Sequence, residues 1–266
     1  MSLYFSGFSV MSQATLPSPV SMNTPPDDLG IDREFILSMA RIPVVAVFWI
    51  LGNFLTYYIW NQIDPESSRY SPLAVISFGM LLAAFIDGWA FKVPNWCTLS
   101  LVLSGWAIGL FHDLSIPIDQ GVGGIGSSML CTLIGFLLLG PLLAISGMGQ
   151  GDVKMTMGFG AWVGAYFGGR LSFEILAISF CIGAVVGGVF GLIMMVIRRK
   201  FSQNASNFRE IFTDLRVLVT QGPSQAAARG YSRRSRWDKL PYGVPLCVGF
   251  LGYLWYLWIN NQLPGQ

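Results

Sequence analysis

The chain has 266 residues, of which 53% are hydrophobic and only 11% charged. Soluble domains carry about 25% charged residues, so this balance, with a mean hydropathy of +0.56, excludes a soluble enzyme and describes a polytopic membrane protein. A single histidine, His112, excludes HExxH metal chemistry, and four cysteines with no CxxC pair exclude a zinc ribbon.

Residues 1–38 are polar and Pro/Ser-rich, with Asp27, Asp28, Asp32 and Glu34. No basic segment leads into an apolar run, so this stretch reads as a disordered cytoplasmic tail and not as a signal peptide. Residues 39–260 then read as an all-α transmembrane bundle of about seven spans. The first, 42–60, has Arg41 at one end and an aromatic belt of Tyr57, Tyr58 and Trp60 at the other. The second, 72–91, carries Asp87 near its far end and runs into the turn Lys92-Val-Pro94-Asn95. The third covers 96–111, a polar loop 112–120, and the fourth 124–146.

The fifth span, 153–168, is short. About sixteen residues rise roughly 24 Å, less than a ~30 Å hydrocarbon core. Gly160, Gly164 and Gly168 recur at intervals of four, as do Gly183, Gly187 and Gly191 in the sixth span, 173–197. Such ridges of small residues let helices pack closely. Residues 198–239 hold ten of the sixteen Lys and Arg against three acids, which makes this loop cytoplasmic. Within it Phe208, Ile211, Phe212, Leu215 and Val219 fall at helical spacing, with Arg209 and Arg216 off the stripe. The stripe fits a helix on the inner surface or a cap packed on the bundle. The seventh span is 240–259, and residues 261–266 form a short outer tail.

Counting back from the basic loop puts the fifth span's start and the second span's end on the cytoplasmic side. Charge bias alone therefore brings Asp87 and Asp152 to one face of the membrane and keeps the amino terminus inside. The remaining acids, Asp64, Glu66, Asp113, Asp119 and Glu174, fall in outer loops or at outer span ends and read as solvated charge.

Asp152 stands in Gly147-Met-Gly149-Gln-Gly151-Asp152-Val-Lys154, between two apolar runs. A carboxylate beside hydrocarbon is costly and marks a functional site, although a helix N-cap after a glycine loop is the plainer alternative. Two aspartates that meet share a proton, one acting as base toward water and the other as acid toward a carbonyl. That is peptide hydrolysis without metal or covalent intermediate. Paired membrane acids also serve proton- or ion-coupled transporters, which is the competing reading.

Three stretches resemble a known family, the type IV prepilin leader peptidases. Asp87-Gly-Trp-Ala-Phe-Lys92-Val-Pro94-Asn95-Trp-Cys-Thr98 is similar to its first motif, Gly149-Gln-Gly151-Asp152-Val-Lys154 to its GxGD motif, and Leu240-Pro241-Tyr242-Gly243 to the segment opening its last helix. The resemblance implies a multi-pass inner-membrane aspartic endopeptidase that removes leaders from prepilins or pseudopilins after a glycine, at the cytoplasmic face. It assigns catalysis to Asp87 and Asp152, with Gly149, Gly151, Lys154, Pro94 and Asn95 in support, and it needs no cofactor or metal. Its partners are the pilin substrate and the lipid bilayer; nucleic acid is not among them, and oligomeric state is not readable. Many members add a zinc-binding domain and methylate the new amino end; without paired cysteines, methyltransferase activity is expected to be absent.

Overall fold

The structure, a computed structural model, describes residues 33–91, 93–116, 121–144, 148–197, 213–214, 216–222, 225–226, 241–260 and 262–263. Among these residues the architecture is all-α. It comprises α1 (Arg33–Ile63), α2 (Ser71–Ala90), α3 (Asn95–Asp113), α4 (Ile125–Ala144), α5 (Gln150–Phe167), α6 (Gly169–Ile197) and α7 (Gly243–Ile259), with a 3-10 turn at Ser68–Tyr70. Each predicted span overlaps one of these helices. Four of them, α1, α2, α4 and α6, are long and apolar enough to cross a membrane, and α7 is shorter but apolar.

The predicted tail of 1–38 is shortened by the start of α1 at Arg33. Phe35, Ile36, Leu37 and Met39 supply apolar residues without a breaker until Pro43, so the helix runs on beyond the first predicted span. Residues 1–32 lie outside the described residues, as do Lys92, Gly147 and Leu240 of the three motifs. So do Asp119 and, in the basic loop, Phe208, Arg209, Ile211, Phe212 and Leu215. Of that loop, residues 216–221 are helical. Val217 and Ala226 are buried there beside Leu142 of α4, whereas Val219 is 82% exposed. The described part of the loop therefore rests on α4 through Val217 and Ala226, and Val219 is exposed.

The short fifth span is the centre of the fold. In α5, 14 of 18 residues are buried, which explains how a helix of about 27 Å needs no match to the bilayer. It packs most extensively on α3 and α4. Glycines set the approach. A methyl at Gly164 would lie 2.6 Å from the Ser127 carbonyl oxygen of α4, and one at Gly160 would run into the Cys131 carbonyl. From the other side, a methyl at Gly135 of α4 would sit 2.8 Å from the Thr156 carbonyl. Backbone touches backbone along this seam.

Not every member of the two glycine ridges packs. Gly168 ends α5 with φ 76°, a turn that a side chain would strain. Gly183 and Gly187 of α6 face Leu246 and Pro245 of α7, whereas Gly191 has no neighbour within 4 Å.

Three indole N–H groups of buried or half-buried tryptophans join the helices, since a polar handle away from water needs a partner. Trp49 donates from α1 to Ser100 Oγ at 3.0 Å, Trp106 from α3 to Thr132 Oγ1 at 3.0 Å, and Trp162 from α5 to the Leu101 carbonyl and Ser104 Oγ, both at 3.0 Å. Two acids expected to be solvated have structural work. Asp64 Oδ1 accepts the N–H groups of Glu66 and Ser67 in a tight turn. Asp113, at the end of α3, accepts the Ile125 N–H at 2.9 Å and so caps α4.

Candidate active site

Asp87 occupies the last turn of α2, where the chain must turn toward α3. Its carbonyl accepts the Phe91 N–H at 2.8 Å, and Phe91 closes the helix in the left-handed conformation, φ 52°. Pro94 then runs extended as the residue before α3, with Asn95 as its first. Pro94 cannot continue a helix but starts one readily, and its carbonyl takes the N–H groups of Cys97 and Thr98.

Asp152 lies at the third position of α5, not at its cap; Gly149 holds the cap position. The Gly149 N–H reaches the Asp152 carboxylate, which is half of a capping box. The plainer alternative, that Asp152 is the cap itself, is therefore corrected. Its side chain is free to turn inward, and its Oδ1 is buried with no hydrogen-bond partner. A buried acceptor in that condition is costly unless something else visits it.

The two motif segments dock on each other. A methyl at Gly151 would meet Val93 at 3.2 Å, so the absence of a side chain there lets the α2–α3 turn lie against α5. One turn on, Lys154 Nζ donates to Asn95 Oδ1 at 2.7 Å. Lys154 thus links the starts of α3 and α5.

Asp87 and Asp152 are both buried, with 6% and 5% exposure, although they belong to different helices. The Asp87 charge acts on Asp152, and the Asp152 charge acts in turn on Tyr242. Tyr242 is the residue before α7. The next residue, Gly243, donates its N–H to Asp87 Oδ2 at 2.8 Å. The start of α7 therefore touches Asp87 and lies near Asp152. Gly243 was visible in the sequence only as part of the Pro-aromatic-Gly stretch and was not singled out as a site residue. Among the described residues, no three His, Cys, Asp or Glu side chains gather as a metal site would need.

Chemically, the arrangement offers two carboxylates at one end of the bundle, shielded from bulk water and held by backbone donors. Residues 74–192, which contain both acids and the turn between α2 and α3, match the type IV leader peptidase family. The chain is similar to the prepilin leader peptidase/N-methyltransferase of Aeromonas hydrophila, 24% identical over 216 residues, or 68% of this chain and 69% of the relative. It is also similar to the protein of the same name from Aeromonas salmonicida (strain A449), 26% identical over 159 residues, 60% of this chain and half of that relative's length. No solved structure matches.

Proposed function

We propose that this chain, whose residues 74–192 match the type IV leader peptidase family, is a membrane-embedded aspartic endopeptidase acting on prepilins or pseudopilins. The observation that carries the reading is the convergence of Asp87 and Asp152. They are buried, they come from helices distant in sequence, and one feels the charge of the other. One carboxylate takes a proton from water while the other gives a proton to the scissile carbonyl oxygen. The resulting gem-diol collapses, the leaving amine takes a proton, and the pair returns to its starting state. The unpartnered Oδ1 of Asp152 is a ready acceptor for the water or donor to the carbonyl.

Val93, Pro94, Asn95, Gly149, Gly151 and Lys154 frame the pair by fixing the α2–α3 turn against the start of α5. The bias of positive charge in residues 198–239 supports a cytoplasmic site in an inner-membrane protein. Cleavage after a glycine, just before the substrate's hydrophobic helix, is the specificity that the family resemblance suggests. The proposal covers the peptidase half of the relatives' double name only.

The test is to express Asp87→Asn and Asp152→Asn chains with a prepilin and follow the size of the substrate on a gel. Each substitution keeps the side chain's shape and removes its acid, so processing should fall by at least about 10²-fold, the lower end of what a general acid or base supplies. Normal processing by either variant refutes the mechanism.

A further inference from the structure

We propose that Gly243 is a positioning residue: its N–H and its missing side chain together fix the Asp87 carboxylate at its working angle. The proposal rests on reading Asp87 as one of the catalytic pair.

An acid in the last turn of a helix sits among unsatisfied carbonyls, the end of the dipole that disfavours negative charge. Asp87 is in that position on α2. The local N–H of Phe91 goes to the Asp87 main-chain carbonyl and not to its side chain. The side chain's donor comes from 156 residues away, at the opposite and favourable end of another helix, as the first residue of α7.

Space makes the contact exacting. A methyl on Gly243 would lie 2.8 Å from Asp87 Oδ2 and 3.1 Å from both its Cβ and its Cγ. Asp87 Cβ is fixed to the α2 backbone and cannot swing clear, so either the carboxyl group rotates or α7 lifts. Lifting is opposed along α7. A methyl at Gly249 would overlap the Ser179 carbonyl and the Gly183 backbone of α6, and Gly187 of α6 lies against Pro245 of α7. With α7 held in this way, adding a side chain turns the carboxyl group aside, and the remaining 3.1 Å contact at Asp87 Cβ makes the two helices give by a few tenths of an ångström.

The two acids thus differ in what holds them. Asp152 is held by Gly149, three residues away at the head of its own helix. Among the described residues, the donor that holds Asp87 comes from α7. The first turn of α7 completes the pair.

The experiment uses the full chain purified in detergent, with a prepilin as substrate. Gly243→Ala should lower kcat about 10²-fold, as a misplacement near 1 Å does, while KM stays unchanged. Gly252→Ala adds the same methyl to α7 where nothing lies within 4 Å, and should leave both constants as they were. A second arm needs no activity. Gly243→Ala should lower the melting temperature of the parent chain, and most of that loss should disappear in an Asp87→Ala background, which removes the carboxyl group. A Gly243→Ala chain that does not fold, but folds again when Asp87→Ala is added, supports the same contact.

A parental kcat for Gly243→Ala beside an inactive Asp87→Asn chain overturns the positioning role and leaves the peptidase reading intact. An equal melting loss in both backgrounds shows that the methyl meets something other than Asp87 and overturns the contact. Normal processing by Asp87→Asn removes the catalytic reading and the positioning role with it.

Discussion

Gly164→Ala probes whether α5 is held at its depth by backbone contact. The added methyl would lie 2.6 Å from the Ser127 carbonyl oxygen, 2.8 Å from Ser128 Cα and 2.9 Å from Cys131 Cβ, all on α4. Two of these atoms are backbone and the third is bonded directly to it, so no rotamer change relieves the overlap. Overpacking of this kind costs about 1–3 kcal/mol, against which alanine regains about 0.5–1 kcal/mol of helix preference over glycine. The net loss is about 1–2 kcal/mol, or a fall in melting temperature of roughly 2–8 °C for a chain of this size. Thermal unfolding in detergent, followed by the helical circular dichroism signal, reads it directly. Gly188→Ala is the matched control, because that glycine is exposed on α6 with nothing within 4 Å. It should melt with the parent or slightly above. A Gly164→Ala chain that melts with Gly188→Ala would mean that α4 and α5 do not touch through their backbones, and the burial of Asp152 would lose its support.

The Lys154–Asn95 bond joins two half-buried side chains at 2.7 Å. Lys154→Met and Asn95→Ala should each cost about 1–2 kcal/mol, near the lower end for a bond to a charged group, and the double variant should cost little more than either alone; additive losses would show that the two act separately. Asp113→Ala removes the acceptor for the Ile125 N–H, and should lower stability by about 0.5–2 kcal/mol while prepilin processing by the folded chain is unchanged. A loss of processing without a loss of stability would assign Asp113 to the chemistry instead.

The helices were legible because their apolar runs are bounded by polar, proline or glycine signals, and because 53% hydrophobic residues leave few other readings. The candidate site was legible in its two acids: each is the one carboxylate within an otherwise apolar stretch. What escaped the sequence were relations across the chain. Gly243 gains its meaning from a carboxylate 156 residues away, and spacing along one helix cannot name a partner on another. Asp113 had the same difficulty on a smaller scale, since a cap supplied by the preceding helix looks like a loop charge. The glycine ridges revealed a period but not its limits; Gly168 and Gly191 share the spacing of Gly164 and Gly187 without sharing their contacts. In the basic loop, Val219 is the one stripe residue among those described, and it is exposed while its off-stripe neighbour Val217 is buried. The burial of Val217 depends on α4 being beneath it, and hydrophobic spacing alone gives no account of that.

Since α5 is wrapped by its neighbours along most of its length, the lipid has little purchase on it. Stretching or compressing the bilayer would act on the outer helices, by tilt or by local deformation of the membrane. The depth of Asp152 is then a property of protein against protein, set by the glycine seam with α4. A helix packed this way takes its level from the protein around it, whatever the thickness of the membrane outside.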